Sequence, residues 1–488
     1  MARLDRGRLT CAPLFVALAF ALASCAGATN LPTTTAAGAA ASHQTGAVHR
    51  SNGIEHVIIV IQENRSFDDL FATFPGADGA TGGCMKPISK QFRRVHRLAG
   101  SGRCASGDQY VPLRKANLYE PCDFGHGYSG FLVNLDHGLM DGFGLPPSVC
   151  DGHTKEAYQH VNPHQIAPYY AIAQDYVLAD HMFQTQGSGS FTAHQDLIRG
   201  GTTLNANQTS TIVDQPTAGP WGCDAPPGTK TDELRYGPKG LRYVHDKGPF
   251  PCLNYPTMRD LLDAQSVSWK YYSPPVTKGP QGTGALWNAF DAIRAVRYGP
   301  EWGTKVTTTD LAIFNDIHYG QLPAVSWVIP DRQNSDHPAG GPHTDTGPSW
   351  VASIVNAVGE SSYWRSTAVI VVWDDWGGFY DHEAPPLKDD WGGLGFRVPM
   401  LVVSAYTPSA GTGKTFISHT PYEFGSILKF IEQNFGLGSL GTTDQRATSI
   451  ADCFDFSQGP RSFRQIPTKY SRAYFLRQKP SYQPVDTQ

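Results

Sequence analysis

The chain has 488 residues, with 39 Lys and Arg against 43 Asp and Glu, a net charge of −4 and 17% charged side chains, below the roughly 25% of an average protein. That composition excludes a coiled coil, a basic nucleic-acid arm and a highly charged disordered chain, and the want of a basic cluster argues against phosphate-backbone binding as the main task. Hydrophobic residues at 40%, with 51 Gly and 36 Pro, describe a loop-rich globular protein, long enough at roughly 100–200 residues per domain for two to four domains or one large α/β enzyme with insertions.

Taken in chain order, Arg3, Arg6 and Arg8 precede an apolar run, Leu14–Ala23, too short for a permanent membrane span and typical of a signal peptide. The run ends in Leu22-Ala23-Ser24-Cys25, a lipobox-like sequence that predicts removal of residues 1–24 and acylation of Cys25. Ordinary cleavage near Ala23, releasing a soluble secreted product, is the alternative. Loss of residues 1–24 removes three Arg and one Asp and takes the net charge from −4 to −6. Residues 25–52 are rich in Thr, Ala, Gly and Ser without periodicity, the composition of a flexible tether. Seven further cysteines follow, and outside the cytoplasm they should mostly pair. The expected pairing is local, Cys84–Cys104, Cys122–Cys150 and Cys223–Cys252, with Cys453 left over.

The first buried strand is expected at 56–61, followed by Gln62-Glu63-Asn64. A short helix at 257–264, a strand at 266–272 and a helix at 286–296 come next. A strand at 324–329 runs into Pro330-Asp331, and Val351, Ile354, Val355 and Val358 form a helical stripe. The strand at 368–373 runs into Asp374-Asp375, one at 398–403 follows, and Phe424, Ile427, Leu428, Ile431 and Phe435 make a longer stripe. Continuous apolar strands need helices over both faces, so the alternation predicts a three-layer α/β/α sandwich around a mostly parallel sheet. Ligands of open α/β sheets bind at the carboxyl ends of the strands, where Glu63, Asn64, Asp374 and Asp375 could converge. A lone acid after a strand commonly only caps a turn. Two adjacent ones repel unless a cation or a proton lies between them, and such oxygen ligands suit Mg²⁺, Ca²⁺ or Mn²⁺, although carboxylates also bind Zn²⁺ and Fe.

Several blocks then resemble one known family, the bacterial phosphoesterases that include phospholipase C and the related metal-dependent acid phosphatases. They are His56–Asp68 (HVIIVIQENRSFD), Cys122–His126 (CDFGH), Gly138–Phe143 (GLMDGF), Asn334–Pro338 (NSDHP), Gly347–Trp350 (GPSW), Trp373–Pro386 (WDDWGGFYDHEAPP) and Ser418–Gly436 (SHTPYEFGSILKFIEQNFG). The resemblance implies an alkaline-phosphatase-like core over 53–455, with loop-rich insertions at about 78–121 and 200–255 that form a lid or rim, and a C-terminal extension at 456–488. It also implies one or more divalent metal ions held by Glu63, Asn64, Asp374 and Asp375, and a hydroxyl nucleophile within Gln186–Gln195 (QGSGSFTAHQ). Ser190 is the best match for that nucleophile and would join the metal. Thr192 stands where relatives usually carry Pro, and Ser188 and Thr192 are competitors.

His126 and His337 match positions that contact the phosphoryl group in relatives, and His382 falls inside a matching block. His382 and His419 read equally well as hydrogen-bonded structural residues, and His153, His160, His164, His181, His194 and His343 carry no comparable signal. The expected chemistry is attack by Ser190 on phosphorus, a phosphoserine intermediate, protonation of the leaving oxygen by histidine, and hydrolysis by water. The substrate is a phosphate ester, with a phospholipase C acting on phospholipid placed slightly ahead of an acid phosphatase acting on monoesters. A surface lipoprotein that binds a ligand without turnover is the non-enzymatic alternative.

Overall fold

The computed structural model describes residues 53–87, 104, 107–119, 122–146, 155–205, 209–276, 286–339, 345–386, 393–408 and 415–479. The signal sequence, Cys25 and the tether lie outside these residues. Eight strands form the central sheet: β1 (His56–Gln62), β2 (Val177–Ala179), β3 (Trp269–Tyr272), β4 (Val306–Thr307), β5 (Val325–Val328), β6 (Thr367–Trp373), β7 (Met400–Ser404) and β8 (Phe416–Ser418). Their spatial order is β4-β3-β5-β1-β6-β7-β2-β8. Every neighbouring pair is parallel except the two that involve β7. The carboxyl ends of seven strands therefore share one edge, and the reversed β7 begins at that edge.

The long apolar runs at β1 and β6 are buried along nearly their whole length, because helices cover both sides. Ile59 lies beside Trp327 and Ile370, so these three share a face, and side-chain alternation puts Trp373 on the other. Trp327 Nε1 donates to Leu197 O (3.1 Å) in helix α2 (Ser190–Arg199). Trp373 meets Tyr169 of helix α1 (Ala167–Asp175) edge-on at 4.9 Å. The two helices thus sit on opposite faces. Helix α4 (Phe424–Phe435) packs against α2, and helix α3 (Gly347–Gly359) packs against α1. The stripes at 351–358 and 424–435 are the buried faces of α3 and α4. This is the expected three-layer α/β architecture with a mostly parallel sheet.

Residues 286–296 differ from the helix expected there. Two short turns, Ala289–Ala292 and Arg294–Arg297, are separated by extended backbone at Ile293 (φ −102°, ψ 107°). The apolar spacing reflects burial of Trp287, Phe290 and Val296 in the main core, not one continuous helix. Two of the expected disulfides are present, Cys84–Cys104 and Cys223–Cys252. Cys122 is also disulfide-bonded; Cys150, its expected partner, lies outside the described residues. Among the described residues Cys453 is free and buried. A three-stranded antiparallel sheet (Ser210–Val213, Asp232–Gly237, Gly240–Val244) occupies the 200–255 segment, and no helix of the described residues is long and apolar enough to cross a membrane.

Candidate active site

The register Gln62↔Trp373 between β1 and β6 brings Glu63 alongside Asp374 and Asn64 alongside Asp375 one step beyond the sheet. Asn64 takes a left-handed conformation (φ +49°), which Asn tolerates better than most residues. Its backbone N–H donates to Asp374 Oδ1 at 2.9 Å. The turn after Asp375 folds over this residue closely: a Cβ on Gly377 (φ +60°) would lie 2.2 Å from Asn64 O. Gly377 N–H donates to Asp375 Oδ1 at 2.7 Å. Glu63, Asn64, Asp374 and Asp375 are all fully buried.

Ser190 is the first residue of α2, behind Gly189. Its Oγ donates to Asp375 Oδ2 at 3.1 Å and lies 3.3 Å from Asn64 Oδ1. The competing hydroxyls point elsewhere. Thr192 Oγ1 bonds Ser188 Oγ, which also accepts from the Asp214 N–H at 2.7 Å.

Four residues after Ser190, and so on the same face of the helix, His194 enters the cluster. Its Nε2 lies 2.9 Å from Glu63 Oε1 and 3.8 Å from Asp374 Oδ2. Ligand atoms of Glu63, His194 and Asp374 lie within 4.8 Å of one another. No block singled out this histidine. Its i, i+4 spacing from the nucleophile candidate is the signal that could have found it.

The electrostatics of the cluster are unfavourable for bare carboxylates. Burial, reinforced by Glu63, pushes Asp374 up to about 8. Burial and the adjacent Asp374 raise Asp375 well above the usual carboxylate range. Burial also holds His194 down at about 4, against the pull of Asp374 and Asp375. Asp374 Oδ2 and His194 Nδ1 are buried without a hydrogen-bond partner.

The Asn64 amide tests whether these residues fit a cation. One terminal atom lies 2.8 Å from His126 Nε2, the other 3.0 Å from Glu63 Oε2 and 3.3 Å from Asp374 Oδ1. The hydrogen-bond network decides which atom is nitrogen. His126 Nδ1 donates to Phe124 O at 2.6 Å, so Nε2 of a neutral ring accepts and the amide nitrogen faces it. The amide oxygen then confronts two carboxylate groups, an arrangement that calls for a cation or a proton between them. In the reversed orientation the amide nitrogen would instead donate to Glu63 Oε2 and Asp374 Oδ1. The donor set fits a divalent metal.

His337 joins this site and His382 does not. Gln62 reaches from the end of β1, donating to Asn334 O (3.1 Å) and accepting from the Asp336 N–H (2.9 Å). Arg65 Nε donates to Asp336 O at 2.8 Å. These bonds fix the loop after β5 so that the His337 ring centroid is 6.2 Å from that of His126, with His337 Nδ1 2.6 Å from Pro338 O. His382 instead bonds Asp68 Oδ2 through Nδ1 at 2.8 Å and lies 3.1 Å from Arg397 Nη2. Burial opposes its charge, but Asp68 outweighs this and holds the imidazole up at about 9. The structure places it in a separate ion-pair network.

Two cavities adjoin the turn before Ser190. One of about 580 Å³ is lined by His126 and Gly189 and, from the 200–255 segment, by Asp214, Trp221, Asp232 and Tyr243. Tyr243 OH lies 2.9 Å from Asp214 Oδ2 and 2.5 Å from Asp232 Oδ2, with one proton to donate between them. The other, about 930 Å³, is lined on one side by Leu132, Leu135, Leu234 and Leu241 and elsewhere by polar residues that include Gln186, Arg199 and Arg446.

The model of the Phosphoesterase family matches residues 54–438. The chain belongs to the phosphoesterase family. It is thereby a member of a family of hydrolases acting on ester bonds. Among its relatives, a non-hemolytic phospholipase C of Pseudomonas aeruginosa is 25% identical over 86% of this chain and 60% of that protein. Phospholipase C A of Mycobacterium tuberculosis is 26% identical over 84% of this chain and 79% of that protein. The phosphoesterase chain thus spans about three fifths of the length of the Pseudomonas relative. Among solved structures, a protein in the alkaline phosphatase superfamily from Vibrio parahaemolyticus aligns over 59% of this chain and 65% of its own, with 13% identity and a TM-score of 0.32.

Proposed function

We propose that this phosphoesterase is a metal-dependent phospholipase C-type enzyme in which Ser190 is the nucleophile. The observation that carries the reading is the aim of Ser190 Oγ, from the first residue of a helix, into the buried Glu63–Asn64–Asp374–Asp375 cluster. When bound, a divalent cation held by Glu63, Asn64, Asp374, Asp375 and Ser190, with His194 alongside, supplies charge neutralisation and a lowered hydroxyl pKa. Asp375 Oδ2 orients Ser190 Oγ and is the nearest proton acceptor. The Oγ–phosphorus bond forms as the bond to the leaving alcohol breaks, and that alcohol takes its proton from His337 Nε2, since the His126 ring keeps its one proton on Phe124 O and holds Asn64 through Nε2. Water then attacks the phosphoserine and returns the serine hydroxyl. The positive end of the α2 dipole favours the phosphoryl anion at this position.

The two cavities favour a phosphodiester with unlike ends. Carboxylates and aromatic rings beside a phosphate-binding centre repel a second anion and suit a cationic amino-alcohol head, while the larger cavity offers an apolar wall to a lipid portion. A choline phospholipid fits both. The acid phosphatase reading rests on the same centre without these cavities. The two separate on a phosphocholine ester and a simple chromogenic monoester assayed together. Asp232→Asn should raise KM for the phosphocholine ester by about tenfold, the equivalent of roughly 1.4 kcal/mol, and leave the monoester unaffected. Equal change on both substrates overturns the cationic-head assignment.

Export and acylation at Cys25 belong to the same proposal, and disulfides at Cys84–Cys104 and Cys223–Cys252 are in keeping with an oxidising compartment. Labelled fatty acid should enter the wild-type chain in its bacterial host and not Cys25→Ser; equal labelling of both rejects the anchor.

A further inference from the structure

At the far side of the same sheet edge, away from Ser190, a second group of ligand-type side chains converges. Asp180 and His181 follow β2, and His419 follows β8. These strands are parallel neighbours with Ala179 opposite Ser418, and the Asp180 N–H donates to Ser418 O at 3.1 Å. Backbone pairing therefore holds Asp180 and His419 side by side. His181 Nδ1 is 2.8 Å from Asp180 Oδ1. His419 Nδ1 is 3.0 and 2.9 Å from the two Asp180 oxygens. One ligand atom from each of the three residues falls within 4.8 Å of the others.

The surroundings resemble those of a bound imidazole site. His181 Nε2, its other nitrogen, lies 3.3 Å from Asp78 Oδ2, and an outer carboxylate of this kind orients a metal-bound histidine. Asp78 is itself fixed: its N–H donates to Asp180 Oδ2 at 2.9 Å, and its carbonyl accepts from Arg397 Nη1 at 2.9 Å. Charge points the same way. The carboxylates of Asp68, Asp78 and Asp381 gather around Arg397 and His382, and Arg397 Nη1 donates to the Asp180 carbonyl at 2.9 Å. Three carboxylates outnumber these two cationic side chains, and the Asp180 carboxylate adds to the negative charge beside the two imidazoles. Asp180 is fully buried, while His419 is 62% exposed, so solvent can reach and complete the coordination shell.

We propose that Asp180, His181 and His419 form a second metal site that takes a divalent transition ion such as Zn²⁺. Two imidazoles and one carboxylate favour that class over Mg²⁺ or Ca²⁺, whereas the cluster at Ser190 is dominated by oxygen donors. The ion ties the end of β2 to the end of the outermost strand, β8, and takes no part in the attack on phosphorus.

The test uses the full chain, stripped with chelator, reloaded with Zn²⁺ alone, gel-filtered and analysed for metal per chain. Wild type should hold two equivalents, and His181→Ala/His419→Ala one, with turnover of a chromogenic phosphate ester retained as evidence of folding. Asp374→Ala should also retain one, and Zn²⁺ should raise its Tm by several degrees. That rise should vanish when His181 and His419 are replaced as well. One equivalent in wild type and none in Asp374→Ala overturns the second site, as does a double variant that binds as much as wild type. One equivalent in both wild type and Asp374→Ala, lost in the double variant, upholds this site and instead removes the metal from the catalytic reading.

Discussion

Ser190→Ala should leave a folded protein with turnover reduced roughly 10³- to 10⁶-fold, the range in which a nucleophile removed from an intact site leaves only binding and electrostatic assistance. Stability should change little. Ser190 occupies the first turn of α2, where Ala is at least as good a helix former, and the lost bond to Asp375 is worth about 1 kcal/mol. Replacement by the neighbouring hydroxyls is not expected, because Ser188 and Thr192 bond each other and Ser188 is tied to Asp214. Steady-state kinetics beside a thermal melt reads both quantities. Wild-type turnover in the variant sinks the nucleophile assignment and promotes Ser188 or Thr192.

Metal removal should expose a pH dependence of stability that the loaded enzyme lacks. In the metal-free fold Asp374 is raised from 3.8 to about 8, so the folded state holds a proton that the unfolded chain releases. The sign follows from linkage: the contribution is fully present below the unfolded value and is lost as pH rises through about 8. Chelated protein should therefore melt progressively lower from pH 5 to pH 8. Asp374→Asn has no proton to lose at this position. It should be inactive and metal-poor, yet in chelator at pH 8 it should melt above chelated wild type, with the gap narrowing toward pH 5. Scanning calorimetry across that range decides the matter. A flat wild-type profile in chelator, or an Asn variant that melts lower at pH 8, contradicts the proton-for-metal exchange.

The long strands and the acids behind them were legible because each is a continuous apolar run followed by an abrupt change to carboxylates. β1 and β6 needed nothing more than that contrast, and their register does the rest. β2, β4 and β8 were not legible: they have only two or three residues each, too few for a run to stand out, and pairing alone makes them strands. The strand expected at 398–403 is present as β7, but a single strand carries no mark of direction, and it runs antiparallel. His382 was grouped with the catalytic histidines because it falls inside the Trp373–Pro386 block, whereas the loop after β6 carries it to Asp68. His194 shows the reverse failure, since no matching block names it and only the helix beginning at Ser190 points it at Glu63. Gln62 and Arg65 lie inside the first block without a chemical signature, and their work, holding the His337 loop, depends on partners some 270 residues away.

The bond from Asn64 to Asp374 spans 310 positions of the chain, and β1 cannot pair with β6 until both exist. A chain that emerges from its amino end therefore carries Glu63 and Asn64 through some 310 further positions before Asp374 and Asp375 exist to complete the cluster. Pairing segments so far apart in the chain is slow, so the catalytic centre should be among the last parts of the molecule to assemble. A nascent or truncated chain that stops short of Asp374 lacks half of the cluster and should be inert toward phosphate esters. With phospholipid as the proposed substrate, that order of assembly would keep hydrolytic power from appearing while the polypeptide is still incomplete and close to the membranes of the cell that makes it.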